Sequence, residues 1–137
     1  MLGHKIFQAY GGAQPLTMKR RRIAVIKKWL MLEFPTKHVV MLRVANMPSG
    51  YKDCLGTYSG PDGSSNALIR ISKKVSISQQ IDTLLHEWGH ARVDPDAEGC
   101  SRWHGGHVNE FYLEYGRIER SFLAALDGVL KPKPVRR

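Results

Sequence analysis

Cysteine is scarce in this sequence: Cys54 and Cys100 are the only two. Two such residues make no disulfide framework, and without a Cys-x-x-Cys pair there is no zinc ribbon, so both are expected to be packed or idle thiols. Long apolar runs are missing as well. The longest spans a few residues, where a membrane helix needs roughly 20, so no membrane partner is expected. The first fifteen residues, broken by His4, Lys5, Gln8 and the pair Gly11-Gly12, lack the charged, apolar, small-residue order of a secretory signal. A cytoplasmic location is the resulting expectation. Acidic residues are few, with 12 Asp and Glu against 21 Lys and Arg and a net charge of +9. That imbalance predicts attraction to an acidic partner, whether nucleic acid, protein or anionic lipid, and does not choose among them.

What is present has the composition of a globular domain, 42% hydrophobic and 24% charged over 137 residues. That length suits one hydrophobic core. No internal repeat is visible. Residues 1–17 read as an N-terminal segment, 18–128 as the domain and 129–137 as a basic flexible tail.

The predicted fold class is α+β. A helix over 18–33 places Ile23, Ile26 and Leu30 on a buried stripe and Arg20, Arg21, Lys27 and Lys28 on another face. Phe34-Pro35 ends it. Residues 38–46, 54–59 and 67–72 read as strands, with turns at Pro48-Ser49-Gly50 and Gly60-Pro61-Asp62-Gly63, giving a small antiparallel sheet of about three strands. A second helix begins after Ser76 or Ser78, either of which can cap it. Its stripe is Ile77, Ile81, Leu84, Leu85 and Trp88. Residues 94–106 read as a loop, and a third helix over 108–126 turns Phe111, Tyr115, Ile118, Phe122 and Ala125 inward.

Chemistry concentrates in the second helix, in His86-Glu87-Trp88-Gly89-His90. Each helical residue turns about 100°, so two histidines four apart lie one above the other and can reach one metal ion. Both point away from the apolar stripe. Glu87 sits to the side, suited to take a proton from water whose pKa the ion lowers to about 7, as attack on a carbonyl begins. A two-histidine helix with an intervening glutamate therefore reads as a zinc metallopeptidase site.

Catalytic zinc usually takes a third protein ligand. His104 and His107 are the candidates, with Asp94, Asp96, Glu98, Glu110 and Glu114 as carboxylate alternatives. Spacing favours His107, which precedes Phe111 by four residues and Tyr115 by eight and so begins the third helix on its inward side. His104, in a glycine-rich loop, is left to bind substrate or nothing.

Over residues 56–119 the chain resembles the SprT-like, or Spartan-type, zinc metallopeptidases and their short bacteriophage relatives. The likeness rests on Thr83-Leu84-Leu85-His86-Glu87-Trp88-Gly89-His90-Ala91 and on Gly106-His107-Val108-Asn109-Glu110-Phe111, followed by Tyr115 and Ile118. It implies a zincin-like fold of N-terminal helix, small antiparallel sheet, active-site helix and ligand-bearing helix. It also implies His107 as the third zinc ligand and, for a phage-encoded chain, the host cytoplasm as the location. The zinc ribbon that follows the core in many relatives has no counterpart here.

The substrate expected of such a site is a protein or peptide, bound as an added strand on a sheet edge. Residues 67–72 are the candidate edge. Lys19–Arg22, Lys27, Lys28 and the tail 131–137 offer phosphates a sequence-tolerant, salt-sensitive contact, so proteins on DNA are a candidate substrate class. Two rival readings accompany this one: a catalytically silent zinc-containing binding module, and a basic DNA-binding protein whose histidines are incidental. The oligomeric state is not legible.

Overall fold

The first helix starts where Pro15, with φ fixed at −59°, hands its carbonyl to the amide of Lys19. In the computed structural model, which describes Lys5 and residues 14–62, 66–97 and 108–131, this helix, α1, spans Leu16–Glu33. It buries Ile23, Ile26, Trp29 and Leu30, the expected stripe with one tryptophan added. Phe34 closes it through its amide on the Leu30 carbonyl, and Pro35 supplies no donor for another turn.

Three strands follow: β1 (Val39–Ala45), β2 (Gly56–Ser59) and β3 (Asn66–Ser72), with a short 3₁₀ turn at Ser49–Tyr51 after β1. Their order is β1-β3-β2. The turn at Gly60-Pro61 joins β2 and β3 as the expected antiparallel pair, with Gly56 opposite Ile71 and Ser59 opposite Leu68. Against expectation, β1 and β3 run parallel, Val39 opposite Asn66 through Ala45 opposite Ser72, so the sheet is mixed. Turn residues mark where a chain reverses, and they do not say which strand it next lies beside. Here the link after β1 passes the central place, which β3 fills on its return. Residues 67–72 are consequently the middle of the sheet and not the candidate edge. Bonded on both sides, β3 buries Ala67, Ile69 and Ile71 completely.

Ser76, of the two serines proposed, caps the second helix, α2 (Ile77–Val93). Its hydroxyl accepts from the Gln79 amide while the Gln79 side chain accepts from the Ser76 amide, a reciprocal capping box. Along α2, Ile77, Ile81, Leu84 and Leu85 have no exposed surface, and each contributes roughly 1.5–3 kcal/mol by leaving water. The helix is the hub of the molecule, touching α1, β2, β3 and the third helix, α3 (Val108–Leu126). On α3 the inward residues Phe111, Ile118 and Phe122 are buried as expected, while Tyr115 and Ala125 are half-buried. Leu130, assigned from sequence to the tail, packs into the same core.

Cys54 also departs from expectation. It is disulfide-bonded, and the chain's other cysteine is Cys100, outside the described residues. Separation along the sequence carries no information on whether two Cβ atoms come within bonding range. No helix among the described residues is long and apolar enough to cross a membrane.

Candidate metal centre

One turn of α2 brings His86 and His90 together with their Nε2 atoms 3.3 Å apart. Both rings are half-buried, off the apolar stripe that holds Leu84, Leu85 and Trp88. Tetrahedral zinc with bonds of about 2.0–2.1 Å to nitrogen spaces two such ligands about 3.3–3.4 Å apart, so the pair fits the ion without rearrangement.

The rings are held from outside the helix. Phe111 of α3 stacks on His90, with centroids 4.1 Å apart and planes inclined 11°, and meets His86 edge-on at 4.8 Å. Tyr115, one turn further along α3, lies edge-on to His86 at 5.2 Å. Its hydroxyl donates to Asp82, four residues before His86 on α2. Burial pushes the Tyr115 hydroxyl pKa strongly up and its bond to Asp82 adds to the effect, so it stays a donor. Glu119 beside them is raised too, first by burial and then by the charge of Asp82.

Close approach of α2 and α3 requires Gly89. A Cβ there would stand 3.0 Å from Cε2 of Phe111, the ring that braces both histidines. A second close approach brings β2 onto α2. A Cβ at Gly56 would fall 2.4 Å from Cγ2 of Thr83 and 2.8 Å from the Arg70 carbonyl, with Cγ of Glu87 at 3.6 Å. Glu87 is only 1% exposed, its stem lodged between the helix and this strand. Charged side chains are seldom buried so completely without a task or a partner.

Among the described residues no third His, Cys, Asp or Glu joins the pair. His104, His107 and Glu98 lie outside the described residues. The carboxylate alternatives within them are placed elsewhere. Glu114 accepts from Arg92 at 2.6 Å and from Arg117 at 2.7 Å. Asp96 pairs with His38 at 2.7 Å and Lys37 at 3.3 Å, and these hydrogen bonds hold its carboxyl below the usual range. Asp94 occupies the C-cap of α2. Glu110 is exposed in the first turn of α3, where a negative charge suits the helix dipole. The first turn of α3 carries Phe111 to the histidines.

Sequence reasoning missed the Asp82–Tyr115 pair and the bracing role of Phe111. The first had a legible signal, because Asp82 shares a helical face with His86. The second had none, since stacking depends on how two helices cross. The basic residues of α1 are also less free than their charge suggests. Lys19 donates to the Val75 carbonyl at 3.1 Å, Arg20 to Val44 at 2.9 Å and Arg22 to the Gln14 side chain at 2.9 Å.

In comparisons with known proteins, no family model, no curated protein and no solved structure matches this chain.

Proposed function

We propose that this chain is a zinc-dependent metallopeptidase of SprT-like, zincin-like kind, in which His86 and His90 hold the ion, with His107 from beyond the described residues as third ligand and Glu87 as general base. The observation that carries the reading is the convergence of two Nε2 atoms at 3.3 Å, on a helix whose intervening glutamate is buried. Bound there, zinc supplies Lewis acidity, polarising a carbonyl oxygen and making water acidic enough to lose a proton near neutral pH. The part of Glu87 is to accept that proton and return it to the departing amine. Its stem is fixed between α2 and β2, so little conformational freedom is lost in bringing the carboxylate to bear.

An extended peptide needs a strand edge near this carboxylate. β2 ends the sheet on the side of Glu87 and replaces β3 as the proposed edge. Proteins held on DNA are a narrower substrate class, for which the net charge of +9 is the support.

The test is cleavage of casein by the purified chain loaded with zinc. Activity removed by a chelator and restored by zinc is expected. Cleavage indifferent to the chelator, or no cleavage by fully zinc-loaded protein, contradicts the proposal, and the second result favours the silent binding module.

A further inference from the structure

On the far side of the molecule, between α1 and β1, runs a groove of about 600 Å³. Arg20, Lys27 and Lys28 line it from the helix and Arg43 from the strand, with Met31 and Leu42 as apolar lining between them. Among the described residues, no acidic side chain lines it. Among the described residues, Lys27, Lys28 and Arg43 have no hydrogen-bonded or ion-paired partner.

One wall of this groove is a strand edge, met by Arg20 at Val44 and, among the described residues, open before it. β1 ends the sheet opposite β2. The Ala45 carbonyl faces β3, accepting from the amide of Lys73, so Val44 turns its carbonyl the other way, where Arg20 Nη2 meets it at 2.9 Å. Val40 and Leu42 share the parity of Val44, and their amides and carbonyls face outward beside the groove. An unpaired edge is a template for another extended chain, and the side chains beside it decide which chain is accepted. Cations without counter-charges select acidic residues, and Met31 and Leu42 select apolar ones between them. Nucleic acid fits less well. Proteins that bind single strands stack bases on aromatic rings, and among the described residues no aromatic side chain lines this groove. Phosphates would also leave the amides and carbonyls of the strand edge unused.

We infer that this groove is a docking site for an acidic, extended segment of a partner protein, held as an added strand on β1. It lies at the sheet edge remote from Glu87, so a partner anchored here leaves the histidine side open. The site stands whether or not the histidine pair is catalytic.

Fluorescence anisotropy of the full chain with a fluorescein-labelled peptide of alternating glutamate and valine tests this. Saturable binding is expected, weakened about tenfold or more by Lys27→Glu with Lys28→Glu and less than about twofold by Lys52→Glu with Lys131→Glu, an equal charge change outside the groove. A lysine–valine peptide of the same length, and the fully N-methylated glutamate–valine peptide, which keeps the charge but has no backbone donors, are both expected to bind poorly. Absence of binding, equal weakening by both pairs of substitutions, or undiminished binding of the N-methylated peptide overturns the inference. Tighter binding of a labelled thymidine oligonucleotide, abolished by reversing Lys27 and Lys28, also overturns it and makes the groove a nucleic-acid track.

Discussion

Glu87→Gln is expected to leave zinc bound and to lower the rate of casein cleavage by about 10²–10⁴-fold, the range typical of a lost general base. The substitution is nearly isosteric, which matters because the side chain is buried against Gly56 and Thr83 and has little room to move. Packing is retained while the group loses its ability to take a proton. Initial rates on casein, read beside the metal content of the same preparation, separate the roles. Unchanged cleavage removes Glu87 from the chemistry. Loss of zinc together with cleavage makes it a ligand instead of a base.

Trp88→Ala is expected to cost about 3–5 kcal/mol of folding stability, as large-to-small changes at buried aromatic sites do. Trp88 occupies one of the two positions that a two-histidine zinc helix leaves free for any residue, so a motif alone assigns it nothing. In the fold it is 1% exposed and donates from Nε1 to the Phe34 carbonyl at 2.8 Å, pinning the end of α1 to the helix that bears the histidines. Removing the ring opens a cavity and also strands that carbonyl. Trp88→Phe fills much of the space but leaves the carbonyl unmet, and a smaller loss of about 1–3 kcal/mol follows. Urea denaturation of the three proteins measures both. A loss below about 1 kcal/mol for the alanine variant would show that the site can collapse around the missing ring and that the anchor is not structural.

The sequence carried the helices because their signals are local. Ser76 with Gln79, the Ile77-Ile81-Leu84-Trp88 stripe and the Phe34-Pro35 stop all act within a turn or two of chain, and the structure places each helix start or stop within two residues of its expected position. The histidine pair was legible for the same reason, since four residues of helix fix the relation of His86 to His90. Sheet order was not. The same alternation of Leu68, Ile69 and Ile71 suits a strand at an edge or in the middle, and only the path of the chain between Ala45 and Gly56 decides that β3 takes the centre. The brace of Phe111 on His90 and the fit of Gly56 over Glu87 are likewise contacts between distant segments. Each depends on a crossing geometry that neither residue announces by itself. The charge on α1 shows the same limit from the other side: a run of cations looks uniform in sequence, yet Lys19 and Arg20 are spent on protein carbonyls while Lys27 and Lys28 face a groove.

The histidine pair as a metal grip is the claim on which the functional account rests, and zinc content after equilibrium dialysis, measured on the native chain beside His90→Ala, tests it most directly. About one tightly held zinc ion is expected per native chain, with its loss in the variant, because catalytic zinc needs three protein ligands and two remain. A native chain that retains no zinc, or a variant that holds it as firmly as the native chain, would contradict it.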